Sequence, residues 1–273
     1  MRQHPLMFSL DLPSGSLTAA FPARGKGSLD LTNNFLSKQE IGYYEAELPP
    51  GSYERLRKLY ESIDFSDLPE VLEVPPDTKT LSVGEMVSES DFDLKNYRLD
   101  GVPPKVEPLL DEMRKATEYL RMSPLRALRG EGAATQSDFP IEKPVSFQVT
   151  LQNVGTERIE TDSPFVTRGV NGETNLRLIV TRDKPPEQLR ESETLWLELG
   201  ADNVHPPEGE KSPAERRVSL KPGETLRFVV RKKLLSTPGR YRAVLTYFTN
   251  RGNRGLEVME GFLSMDLGTF EVK

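Results

Sequence analysis

Cysteine is absent from this chain of 273 residues. That removes disulfide frameworks, thiolate nucleophiles, Cys-ligated zinc and iron–sulfur clusters in one step. Histidine is almost absent: His4 lies near the start, and His205 lies in the turn-rich run Asn203-Val204-His205-Pro206-Pro207. A serine triad needs a histidine beside its nucleophile, and no Gly-x-Ser-x-Gly elbow occurs. Both histidines read as loop residues. No apolar run approaches the ~18 residues that a spanning helix needs, so membrane insertion is not expected. Met1 to Phe8 make no export signal, because Asp11 and Pro13 break the apolar stretch before the roughly 7–15 residues required. As it stands the sequence is expected in the cytoplasm, or in the periplasm or envelope if a leader has been removed.

Phosphate-binding loops are missing as well. Backbone N–H groups wrap phosphates in Gly-x-x-x-x-Gly-Lys-Ser/Thr. Here Gly25-Lys26 has Ala20 at the first glycine position and Gly27 at the hydroxyl position. Gly25-Lys26-Gly27 also lacks the third glycine of a dinucleotide fingerprint and sits in no βαβ unit. Asp91-Phe92-Asp93 opens the oxygen spacing of a calcium loop. Lys95 then occupies a ligand position, and Asn96 replaces the required glycine. No cofactor or metal is expected. The only basic cluster is Arg216, Arg217, Arg227, Arg231, Lys232 and Lys233. Its alternation on a strand pattern and the overall net charge of −6 argue against a nucleic-acid partner.

What is present is pattern. Residues 1–138 hold 16 basic and 23 acidic side chains, whereas residues 139–273 hold 20 and 19. A small, polar run from Gly130 to Asp138, followed by Pro140 and Pro144, reads as a linker. The expected organisation is an α+β domain over residues 1–132, a linker over 133–144, and an all-β domain over 145–273. In the first part, 8–12, 17–21, 28–32, 41–48, 80–83 and 92–99 read as strands. Pro49-Pro50-Gly51-Ser52 announces a helix with Ser52 as N-cap, and Leu56, Leu59, Tyr60 and Ile63 form its apolar stripe. A second helix follows Pro103-Pro104, with Val106, Leu109, Leu110, Met113, Thr117 and Leu120 on one face and Pro108 in the first turn. The simplest packing sets both helices on one face of an antiparallel sheet.

In the second part, Phe147-Val149-Leu151 and Leu176-Leu178-Val180 alternate with polar residues. Leu195–Leu199, Val218–Leu220, Leu226–Val230, Tyr241–Phe248 and Phe270–Val272 are further strands, separated by turn signals such as Lys221-Pro222-Gly223-Glu224. This spacing predicts a β-sandwich. The run Val218-Ser219-Leu220-Lys221-Pro222-Gly223-Glu224-Thr225, with Thr237-Pro238-Gly239-Arg240-Tyr241, resembles the immunoglobulin-like modules of bacterial proteins, the intracellular proteinase inhibitor family among them. The strand Val145–Gly155 matches the early strand of that pattern. The resemblance covers residues 140–273 and implies an immunoglobulin-like sandwich without the antibody disulfide. In the first part, Phe65-Ser66-Asp67-Leu68-Pro69 after a helix is similar to small α+β modules of bacterial envelope proteins and implies no activity.

Residues 61–100 carry eleven acids against three bases. Asp64, Asp67, Glu70, Glu73, Asp77, Glu89, Asp91 and Asp93 are the candidate partner-binding residues, on the reasoning that complementary charge speeds association with a basic protein. Phe65, Phe92 and Tyr97 are aromatics near them. The functional expectation is a non-catalytic protein that binds another protein, in its concrete form an inhibitor or immunity protein that occludes an enzyme or toxin. An envelope or surface module that binds glycan or supports assembly is the alternative, with Trp196, Tyr247 and Phe248 as its aromatic platform, although the alternating strand around Trp196 points that side chain into the core. A carboxylate-based hydrolase is a third reading, for which no particular pair of acids stands out.

Overall fold

The computed structural model describes residues 4–12, 15–31, 39–65, 80–88, 91–98, 102–167, 173–184, 193–234, 237–250, 255 and 257–273. The fold is mostly β, with large antiparallel sheets and two α-helices among the described residues. None of those helices is long and apolar enough to cross a membrane. The chain divides into two compact units. Unit 1 comprises Met1–Phe35 and Gly42–Leu125, and unit 2 comprises Leu36–Ile41 and Arg126–Lys273.

In unit 1, β1 (Leu6–Leu12), β2 (Gly15–Phe21), β3 (Lys26–Leu31), β4 (Glu40–Glu47, its first two residues counted with unit 2), β5 (Thr80–Ser88) and β6 (Asp91–Arg98) run antiparallel in the order β4-β3-β2-β1-β5-β6. Alternate residues Leu6 and Phe8, Leu17, Ala19 and Phe21, and Leu29 and Leu31 are buried, as a period of two requires. Helix α1 (Ser52–Glu61) starts differently from expectation. Its N-cap is Gly51 at φ +76°, a left-handed conformation that glycine adopts without a Cβ penalty, and Ser52 is the first helical residue. The Ser52 Oγ accepts from Arg55 Nη2 at 3.0 Å rather than from a helix-start amide. Helix α2 (Glu107–Arg121) buries Leu109, Leu110, Met113, Ala116, Thr117 and Leu120. Isolated helices of this length are marginal, so burial of the large apolar side chains, about 1.5–3 kcal/mol each, holds the helix in place. Thr117 satisfies its hydroxyl on Met113 O at 2.8 Å. Gly27 lies under α2: a Cβ there would meet Leu120 Cδ2 at 3.2 Å.

Unit 2 contains β7 (Pro124–Ala134), β8 (Asp138–Phe139), β9 (Val145–Asn153), β10 (Ile159–Asp162), β11 (Glu173–Arg182), β12 (Thr194–Gly200), β13 (Val204–His205), β14 (Arg217–Leu220), β15 (Thr225–Lys232), β16 (Gly239–Thr249) and β17 (Gly261–Val272). β13-β15-β9-β7 lie side by side, β12-β11-β16-β17-β8 form a second sheet, and β10-β14 a short pair. The inward residues of both larger sheets share one core, including Phe147, Val149 and Leu151 from β9 and Leu176, Leu178 and Val180 from β11. Phe147 and Phe270 meet edge to face at 5.6 Å across it. Asn153 is fully buried and pins the turn after β9: its Nδ2 donates to Glu157 O (2.8 Å) and Leu220 O (2.9 Å), and its Oδ1 accepts from Gly155 N (2.9 Å).

The boundary lies at Leu125/Arg126 rather than at 133–144. The stretch read as a linker continues β7 to Ala134 and then forms β8. Its glycines serve close packing, not flexibility. A Cβ on Gly130 would come within 2.6 Å of Met265 Sδ, and one on Gly132 within 2.4 Å of Leu267 Cδ2 and 3.0 Å of Gln148 O. Residues 36–41 belong to unit 2 as well. There Gly130 N donates to Gln39 O at 2.7 Å, and Arg129 places Nε and Nη2 on Glu40 Oε2 at 2.9 and 2.7 Å. Gly132→Val therefore lowers stability by about 1–3 kcal/mol in urea unfolding through overpacking against Leu267; a linker glycine would tolerate the change without loss.

Candidate docking surface

Register places the outward side chains of the second sheet of unit 2 in rows. Trp196 on β12 stands opposite Ile179 on β11, Ile179 opposite Val244 on β16, and Val244 opposite Asp266 on β17. The next row runs Glu198, Arg177, Thr246 and Ser264, with Thr246 buried beneath its neighbours. Phe248 and Phe262 extend the same face one row further, with ring centroids 5.8 Å apart. Neighbouring strands stand about 4.8 Å apart, so Trp196, Ile179 and Val244 make a continuous apolar strip.

Trp196 is 65% exposed and Phe248 37%, while Tyr247, one residue along β16, is completely buried. The expectation for Trp196 is thereby corrected. In Leu195-Trp196-Leu197-Glu198-Leu199 every second residue shares a face, and both faces carry apolar side chains. The leucines take the core side. Glu198 shares parity with Trp196, so the carboxylate that must meet water carries the indole to the same side. That parity is the signal the sequence offers for this residue. Two ion pairs border the strip: Arg177 with Glu198, and Arg242 with Asp266. The Arg177 guanidinium also lies 5.7 Å from the Phe248 ring centroid, within cation–π reach. In this half-exposed setting each pair contributes little to stability and instead orders the rim.

The acidic stretch is described only in part. Asp64 and Asp93 are exposed, and Lys95 Nζ lies 3.8 Å from Asp93. Asp91 contributes backbone to β6, and its side chain lies outside the described residues, as do Asp67, Glu70, Glu73, Asp77 and Glu89 in full. Tyr97 is buried, Phe65 packs on Tyr60 with centroids 5.0 Å apart, and the Phe92 side chain lies outside the described residues. Two further acids of the stretch are already engaged: Arg57 of α1 bonds both Glu61 and Glu85. Beside this group a shallow groove of about 430 Å³ is lined by Tyr53, Glu54, Arg57, Lys58, Glu61 and Ser62. His4 is held in unit 1, where its carbonyl accepts from Tyr53 Oη at 3.0 Å, and His205 lies half-buried on β13 in unit 2. Arg227 and Arg231 stand exposed on β15.

Burial pushes the Tyr60 hydroxyl up to about 12, and the negative charges of Glu85 and Asp93 add to the effect. Burial likewise raises Tyr53.

No protein-family model matches the chain, and no curated protein matches it. Solved structures give distant likenesses. A β-glucosidase from Erythrobacter marinus is 14% identical with a TM-score of 0.26, over 51% of this chain and 15% of its own. The CARDB domain of a Pyrococcus furiosus protein, solved with two metal ions, is 12% identical with a TM-score of 0.25, over 54% of this chain and 94% of its own. The alkylpurine DNA glycosylase AlkC from Pseudomonas fluorescens is 12% identical with a TM-score of 0.26, over 65% and 41%. Likeness at this level carries no argument about what the chain does.

The raised Tyr60 is directly measurable. Folding retains the phenolic proton, so its stabilising contribution is complete below pH ~10 and is lost as the pH rises through about 12. In an alkaline pH jump read before unfolding, the absorbance difference between the native chain and Tyr60→Phe should titrate at about 12. A difference titrating near 10 would contradict the burial and charge described around this ring.

Proposed function

We propose that this protein works by contact, as a binding protein for another protein, and in its concrete form as an inhibitor or immunity protein that covers a partner enzyme or toxin. The observation that carries the reading is the exposed indole of Trp196 on an apolar strip with Ile179 and Val244, bordered by two ion pairs. An apolar centre with a charged rim is the anatomy of a protein interface, and Trp and Arg are the residue types that most often dominate such interfaces. The two sheets of unit 2 around one core support its reading as an immunoglobulin-like sandwich, a frame that presents faces, edges and loops to partners. Unit 1, with its helices on an antiparallel sheet, supports the α+β reading of the first part. The exposed acids Asp64 and Asp93 favour a basic partner for that unit.

A glycan-binding surface module is the second reading, and the exposed pair Trp196 and Phe248 favours it. A sugar on an indole platform also needs hydrogen-bonding groups beside the ring. Ile179 and Val244 along the row of Trp196 supply none, and Glu198 and Arg177 in the next row are already tied to each other. A protein is therefore the better fit.

The test is capture by the immobilised chain and by Trp196→Ala side by side, followed by titration of the identified protein against both. Trp196→Ala should bind roughly 10–100-fold more weakly, in line with loss of an interface hot spot of about 2 kcal/mol, with unchanged circular dichroism. If the captured protein is an enzyme, one equivalent of chain should suppress its activity. Equal affinity for both forms would refute the role given to this face.

A further inference from the structure

β12 ends its sheet: among the described residues β11 lies on one side and no strand pairs with the other. Side-chain hydrogen bonds fix which backbone groups face outward. Thr174 Oγ1, on β11, donates to Leu199 O at 2.9 Å, so that carbonyl points toward β11. Lys232 Nζ donates to Glu198 O at 3.3 Å, so that carbonyl points away from β11. In an antiparallel ladder the direction alternates residue by residue. Leu195, Leu197 and Leu199 therefore bond to β11, and Thr194, Trp196 and Glu198 direct their N–H and C=O groups to the open side. The Lys232 ammonium, also held by Asn203 Oδ1 at 3.1 Å, occupies the Glu198 carbonyl at the C-terminal end of that edge, and among the described residues no strand meets the Glu198 N–H or the outward groups of Thr194 and Trp196.

Three features separate this edge from the others. The core-facing Leu195 and Leu197 are only half-buried, whereas Leu176, Leu178 and Val180 on β11 are at most 1% exposed. The core is thus incompletely covered on this side. The strand spans seven residues, Thr194–Gly200, without a lysine or proline, and its one charge, Glu198, is paired with Arg177 of the same sheet rather than left to guard the edge. Elsewhere β6 carries Asp93, Lys95 and Arg98, and β8 and β13 have two residues each.

We infer that the open edge of β12 receives an extended segment of the protein partner as an added strand. This deepens the proposed function and rests on it: the partner is a protein, and the edge states which part of it docks. Backbone N–H and C=O groups in a row can be satisfied together only by another extended backbone. The half-covered Leu195 and Leu197 call for apolar side chains at every second position of that segment. Its remaining side chains emerge beside Trp196 on the outer face, so one docking event buries both the edge and the indole.

The chain contains one tryptophan, so its emission reports this edge alone. The probe is a synthetic peptide copying Thr174–Arg182, the stretch of β11 that already pairs with β12 and carries Leu176, Leu178 and Val180 on one side. Saturable blue shift and reduced acrylamide quenching of Trp196 are expected, with no response to the same peptide carrying proline at its centre. Glu198→Pro removes one outward N–H and no bond to β11, a change that edge strands tolerate, and should weaken the peptide at least tenfold relative to Glu198→Ala. Leu197→Lys, an inward charge able to reach water through the open side, should do the same. No spectral response up to millimolar peptide overturns the inference. A captured partner that Trp196→Ala loses but Glu198→Pro and Leu197→Lys retain also overturns it while leaving the docking face intact. Dimerisation of the native chain that Glu198→Pro abolishes would assign the edge to a second copy and overturn the partner segment.

Discussion

A strand at the end of a sheet satisfies only half of its backbone polar groups within the ladder, and in unit 2 that constraint weighs most on β12, whose seven residues exceed the two each of the end strands β8 and β13. Everything that makes this region distinctive follows from it. With no neighbouring strand on one side among the described residues, Leu195 and Leu197 are partly uncovered, although their faces match those of the sealed leucines on β11. With the leucines turned to the core, Trp196 has no place inside. The sheet in turn owes its position to close packing elsewhere. Gly130 and Gly132 leave room for Met265 and Leu267 of β17, and the T-shaped contact of Phe147 with Phe270 joins the inner faces of the two sheets. The β17–β16–β11 pairing then carries that position outward to β12.

Much of this architecture is legible in the sequence wherever one physical period dominates. Phe147-Val149-Leu151 and Leu176-Leu178-Val180 announce β9 and β11 because each alternates cleanly between a core face and a wet one. The stripe Leu109, Leu110, Met113, Thr117 and Leu120 announces α2 in the same way. Legibility fails where composition imitates another state. Gly130-Glu131-Gly132-Ala133-Ala134 has too little hydrophobic amplitude to show a period, and its glycines look like flexibility. Their purpose becomes visible only when Met265 and Leu267, more than 130 residues away, come into contact with them. Ser52 looks like a cap because serine often is one. The left-handed turn at Gly51 supplies the helix start instead.

The functional surfaces divide along the same line. Counting charges finds the acidic stretch but cannot reveal that Arg57 engages Glu61 and Glu85, because Glu85 lies 28 residues from the arginine and is brought to it by β5. Charge counted along a chain is therefore an upper bound on charge presented to a partner. Trp196 is the opposite case. Alternation leaves two faces for its strand, and reading that alternation as core packing for Trp196 selects the wrong one. Glu198 settles the choice once it is asked which of the two faces a carboxylate can occupy.

An exposed indole, a half-covered pair of leucines and a row of outward backbone groups occur on one seven-residue strand, and the proposed protein-binding role rests on that coincidence. The measurement that bears most directly on this is amide hydrogen exchange resolved residue by residue along β12. The account predicts alternation: fast exchange at Thr194, Trp196 and Glu198, whose N–H groups face the open side, and slow exchange at Leu195, Leu197 and Leu199, which bond to β11. Uniform protection of all six would mean that the edge is already covered, and it would contradict the account.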